Sequence, residues 1–136
     1  MTKHLQREIQ ALKREILSLG TAVEEMVYDS LKAVAERNEV LAASVVERDK
    51  QIDQSEVRIE EECLKILALH QPVAIDLRFI VAVFKINNDL ERIGDLAVNI
   101  AKRAKNLCEL TAVFSPPDFK TIAEKTKIML RQSLQS

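Results

Sequence analysis

Four carboxylates in this chain stand at spacings that could place them in one patch. Glu91 and Asp95 lie one helical turn apart within Asn88-Asp89-Leu90-Glu91-Arg92-Ile93-Gly94-Asp95-Leu96-Ala97-Val98-Asn99-Ile100-Ala101, where Leu90, Ile93, Ala97 and Ile100 recur with a helical period. Asp49 and Asp53 repeat the same carboxylate-x-x-x-carboxylate spacing earlier in the chain. Such pairs share a face of a helix, and like charges there repel by a few tenths of a kcal/mol unless something neutralises them. Four acids brought within a few ångströms cannot all stay ionised without a counter-charge. Oxygen-only donors suit hard cations, namely Mg²⁺, Mn²⁺, Ca²⁺ or oxidised iron. Asn88 and Asn99 are peripheral candidates that could add a carbonyl oxygen. The competing reading is a solvated ion-pair network in which Arg48, Lys50, Arg58, Arg92 and Lys102 screen the acids.

The elements that must position these groups are long helices. Two glycines, three prolines and 4% aromatics in 136 residues point to a helical bundle rather than a sheet. In a first helix, from about Lys3 to Arg37, Leu5, Ile9, Leu12, Ile16, Leu19, Val23, Met26, Ser30 and Ala33 alternate by four and three, the repeat of a left-handed seam. Arg37-Asn38 is a turn, because asparagine tolerates the left-handed conformation and also caps helices. A second helix, from about Glu39 to His70, has the seam Val45, Asp49, Ile52, Glu56, Ile59, Cys63, Ile66 and His70. Its two acids are expensive to bury unless they are paired or metal-bound. His70 sits where it can cap the helix C-terminus.

Gln71-Pro72 ends that helix. A third, from about Ala74 to Glu109, carries one stripe of Phe79, Val83, Ile86, Leu90, Ile93, Ala97, Ile100, Ala104 and Leu107, and a second of Leu77, Val81, Phe84, Asn88, Glu91, Asp95 and Val98. Helices joined by so short a turn are antiparallel neighbours, and residues equidistant from Pro72 face each other. Asp49 then faces Asp95, and Asp53 faces Glu91.

The expected fold class is therefore all-α, an antiparallel three-helix bundle over 1–110. A linker at 111–118 follows, with Ser115-Pro116-Pro117-Asp118 as its stop signal. Residues 119–136 begin a second helical repeat, read as the first helix of a missing or partial second bundle. Its stripe is Phe119, Ile122, Ala123, Ile128, Met129 and Leu134. With no partner in a bundle already closed, it is expected to pack on another chain or to be poorly ordered.

Charge and composition narrow the function. With 20 basic and 21 acidic residues the net charge is −1, which offers no basic surface for nucleic acid. No apolar run reaches the length of a membrane span and no secretory signal is evident. Cys63 and Cys108 read as two reduced core thiols of a cytoplasmic protein. The bundle lacks the Glu-x-x-His motifs of oxygen-activating di-metal proteins. It also has no phosphate-cradling glycine loop and no evident nucleophile, so no residue is assigned a catalytic role.

The stretch from Asp89 to Ala101 is similar to the signature of the PhoU family, bacterial regulators of phosphate uptake. Gln71-Pro72-Val73-Ala74-Ile75-Asp76-Leu77-Arg78 resembles the turn that precedes that signature, and Asp49-Lys50-Gln51-Ile52-Asp53 resembles the family's acidic element. The resemblance implies a cytoplasmic, non-enzymatic, often homo-oligomeric protein of repeated three-helix bundles. It implies metal binding (Mg, Mn or Fe) through paired acidic motifs, at Asp49, Asp53, Glu91 and Asp95. It further implies action with the phosphate ABC transporter ATPase and its sensor histidine kinase, and contact with the membrane only through those partners. Two other readings are a metal-dependent phosphohydrolase, since carboxylates can position metals for hydrolysis, and a purely structural helical interaction module.

Overall fold

The computed structural model describes residues 3–113, 124–125 and 127–132. Three helices follow one another: α1 (Lys3–Glu36), α2 (Glu39–His70) and α3 (Ala74–Val113). The described residues contain no strand, and none of their helices is long and apolar enough to cross a membrane.

Every member of the α1 seam, from Leu5 to Ala33, is buried, and Val27 and Val34 widen the buried stripe. Ser30 is tolerated on it because its hydroxyl donates to the Val27 carbonyl at 2.8 Å. The helix runs unbroken through Gly20.

The first turn divides its work between two residues. Arg37, with φ 52°, takes the left-handed position expected of asparagine. Its N–H donates to the Val34 carbonyl, and the Asn38 N–H donates to the Ala33 carbonyl at 2.9 Å, the paired bonds of a Schellman end. Asn38 is the cap of α2, its Oδ1 accepting from the Leu41 N–H at 3.0 Å. At the second turn Gln71 (φ 45°) ends α2 and donates to the Leu67 carbonyl at 3.2 Å. Pro72 is buried beyond it, and Ala74 (φ 53°) opens α3.

The helices contribute to two compact units, Met1–Glu24 with Lys50–Gly94, and Glu25–Asp49 with Asp95–Ser136. In the first, Leu12, Ile16 and Val23 of α1 share the core with Ile59, Cys63 and Ile66 of α2 and Ile80 and Val83 of α3. Glu8 reaches His70 at 2.9 Å and Asn87 reaches the Glu56 carbonyl at 2.9 Å, so α2 runs antiparallel to both neighbours. In the second, Met26, Ala33, Ala42, Val45, Ala97, Ala101 and Ala104 are buried. There Arg48 binds Asp29 at 2.7 Å.

The buried line of α3 differs from the one read in the sequence. It runs through Ile80, Val83, Asn87, Gly94, Ala97, Ala101 and Ala104, keeping the four-three alternation but shifted by one position over much of its length. Ile86, expected on the seam, is 46% exposed. Small residues occupy this line because they let the α3 backbone approach its neighbours closely, and the larger apolar side chains flank the contact. The helix also continues past Glu109 to Val113, since nothing before Pro116 breaks it. The remainder of the expected linker, including Ser115-Pro116-Pro117-Asp118, lies outside the described residues, as do Phe119, Ile122, Ala123 and Leu134 of the expected fourth stripe.

Residues 124–125 and 127–132 are helical. Here too the apolar face is displaced. Ile128 and Met129 are exposed, whereas Leu130, absent from the expected stripe, is buried in the second unit. Glu124 and Lys127 line a cleft with Tyr28, Leu31 and Ala35 of α1, so this segment finds a neighbour within the chain.

The cap at Asn38 carries a direct expectation. Asn38→Ala removes the acceptor for the Leu41 N–H and should lower stability by about 1 kcal/mol, read as a lower urea midpoint at unchanged slope.

Candidate metal centre

Asp49 of α2 and Asp95 of α3, both in the second unit, each offer a carboxylate oxygen within 4.8 Å of the other. Asp53 follows Asp49 by one turn on the unbroken α2, with an oxygen equally close to that of Asp49. Asp49 is half-buried, whereas Asp53 and Asp95 are exposed, so the group is open to water and to ions. Oxygens on opposite sides of a calcium-sized cation, each about 2.4 Å from it, are separated by about 4.8 Å. The donor set is all carboxylate, and it fits a hard cation with remaining positions filled by water.

The other expected members are placed differently. Glu91 is exposed on α3 one turn before Asp95 and is not among the three that gather. Asn88 and Asn99 are exposed on the same helix. Of the arginines that an ion-pair network would use, Arg48 is committed to Asp29 at 2.7 Å and Arg92 to Asp89 at 3.2 Å. Arg58 faces Glu15 at 4.0 Å.

Two polar features escaped the sequence reading. Asn87 is buried, donating through Nδ2 to the Glu56 carbonyl, and its Oδ1 finds no hydrogen-bond partner. Its phase with Ile80, Val83 and Gly94 was the available signal. Glu56, expected on the α2 seam, is only 5% exposed and lies in the core. At the far end of the first unit, Glu8 lies 2.9 Å from His70 and 3.4 Å from His4, and the two imidazole rings are 5.9 Å apart. His70 thus has a carboxylate partner on α1 in addition to its place at the end of α2. Cys63 is fully buried, and burial, reinforced by Glu60 and Glu62, pushes its thiol up to about 11.

A family model described as the PhoU domain matches residues 16–104, a span that contains both acidic elements and the Pro72 turn. The chain belongs to the PhoU family. It is 39% identical over 143 residues to a phosphate-specific transport system accessory protein PhoU homolog of Pseudomonas putida, a match covering 100% of this chain and 55% of that protein. A relative of the same description from Aquifex aeolicus is 36% identical over 130 residues, covering 96% of this chain and 59% of its own length. The crystal structure of PhoU from Pseudomonas aeruginosa superposes with a TM-score of 0.80 at 38% identity, covering 96% of this chain and 63% of that one. The chain thus has the helical-bundle fold of PhoU and spans a little over half the length of these curated relatives.

The PhoU-domain match spans Gly94, and the geometry there is testable. A Cβ built on Gly94 would lie 3.9 Å from Ile52 Cγ2 and 4.0 Å from Glu56 Oε1, ordinary contact distances. Gly94→Ala should therefore raise stability by about 0.5–1 kcal/mol through helix propensity alone. Gly94→Leu should lower it by overpacking against Ile52 and the buried Glu56. Thermal unfolding of the two variants beside the parent chain checks both signs.

Proposed function

We propose that this chain acts as a PhoU-type accessory protein of phosphate-specific transport, a non-enzymatic regulator whose acidic group holds a metal ion. The observation that carries the reading is the meeting of Asp49, Asp53 and Asp95, drawn from two separate stretches, in one solvent-open patch. Bound Mg²⁺, Mn²⁺ or ferric iron would neutralise mutually repelling carboxylates and tie α2 to α3. Glu91, one turn before Asp95 on α3, is the further ligand in this reading. The protein's own contribution is to present rigid oxygen donors from two helices, with Asp53 and Asp95 reachable from solvent.

In this reading the protein is cytoplasmic and meets the membrane through the phosphate transporter's ATPase. It acts with a sensor histidine kinase to restrain the phosphate-starvation response, and it assembles as a homo-oligomer. The support is the family membership together with the metal-competent geometry. Catalysis is not part of the proposal, since no histidine lies within one helical turn of Asp49, Asp53 or Asp95 in the sequence.

Asp95→Asn provides the test. Divalent or ferric binding followed by calorimetry should weaken at least tenfold, because a neutral amide replaces a charged ligand. The metal-free protein should become more stable by a few tenths of a kcal/mol as the repulsion is relieved. Equal destabilisation with and without metal would instead identify Asp95 as one half of a structural ion pair and remove the metal site. Phosphate-ester hydrolysis that required added Mn²⁺ and vanished in Asp95→Asn would overturn the non-enzymatic assignment.

A further inference from the structure

The chain has two histidines, and the first unit brings them together. His4 lies in the first turn of α1 and His70 is the last residue of α2, yet their rings are 5.9 Å apart. Glu8, one turn after His4, stands between them. Its Oε2 is 2.9 Å from His70 Nε2, and its Oε1 is 3.4 Å from His4 Nε2. The acidic group of Asp49, Asp53 and Asp95 shares none of these residues.

Two imidazoles and one carboxylate are a ligand set that zinc takes. The separations fit such a centre. Bonds of about 2.0–2.1 Å at the tetrahedral angle hold two ligand atoms about 3.3 Å apart and two ligating rings about 5 Å apart. The contacts of 2.9 and 3.4 Å bracket the first value, and the ring separation of 5.9 Å lies a little beyond the second. The His4 side chain is 73% exposed, so its ring is free to turn inward and also leaves a way in for an ion. His70 and Glu8 are only 15% and 18% exposed, so packing holds these two donors in place beforehand.

Charge points the same way. Among the described residues Glu8 faces these histidines and no lysine or arginine. Neutral imidazoles give its carboxylate hydrogen bonds but no counter-charge, which a divalent cation would supply. We propose that His4, Glu8 and His70 form a zinc-binding site that ties the start of α1 to the end of α2. Each imidazole carries its proton on Nδ1 and gives the Nε2 lone pair to the metal. Glu8 gives a carboxylate oxygen, and water completes the tetrahedron. Nitrogen donors favour zinc over magnesium and calcium, the ions that suit the all-oxygen acidic group. The two sites therefore differ in the ion they take, and each can fail without the other.

Histidine ring signals in NMR spectra of the 136-residue chain provide the test, since only two rings contribute. Zinc chloride should shift both rings saturably and with one common affinity, and Mg²⁺ should move neither. His4→Ala and Glu8→Gln should each weaken the zinc binding read at the His70 ring at least about tenfold. Zinc should also raise the thermal unfolding midpoint of the parent chain more than that of His4→Ala. His4 is exposed at the start of its helix, so this variant keeps the fold, which circular dichroism checks. Movement of one ring without the other, shifts that do not saturate, or zinc binding by His4→Ala as tight as the parent's would each overturn the proposal.

Discussion

The register of α2 against α3 is the constraint on which the acidic group depends. A short turn around the buried Pro72 brings the helices back antiparallel, and inside the core the Asn87 amide donates to the Glu56 carbonyl. A slip of one turn would strand that buried amide, at a cost of about 1–3 kcal/mol, and would move Gly94 away from Ile52 and Glu56. Both helices run unbroken onward from these contacts, and it is in this register that Asp49 meets Asp95. A polar bond in an apolar core thus selects one alignment where apolar contacts alone would accept several.

Charge is sorted along the bundle by commitment as much as by position. Arg48 is bound to Asp29 and Arg92 to Asp89, so each of these guanidiniums has a carboxylate partner outside the acidic group. On α1, Glu8 is placed between His4 and His70. The near-balance of acidic and basic residues in the whole chain therefore conceals a local excess of acid where Asp49, Asp53 and Asp95 gather.

The helices were legible because periodic burial leaves a periodic trace. The α1 seam matched residue for residue, since all its positions but Ser30 and Ala33 are filled by large apolar side chains that have no other place to go. The α3 face was misread by one position over much of its length because close helix approach selects Gly94 and Ala101, which hydropathy undervalues against Ile93 and Ile100. The turn at Arg37-Asn38 was legible in place but not in detail, as capping and left-handed geometry compete for the same asparagine. Asp49, Asp53 and Asp95 could be brought together from distance to the turn alone, whereas Glu91 could not be separated from them, because one turn of helix decides only the face and not the reach of the side chain. The meeting of His4 and His70 at Glu8 left no trace in either helix read singly. It arises where the start of α1 packs beside the end of α2.

The inert thiol in the core gives this chain an internal timer. Cys63 is fully buried with its ionisation pushed up to about 11, so at neutral pH almost none of it is the reactive thiolate. Cys108 is part-exposed and takes an alkylating reagent first. Once that site is blocked, every later modification event marks a moment when the first unit has opened around Cys63. The rate of thiol loss then measures how often the core breathes, without any engineered probe.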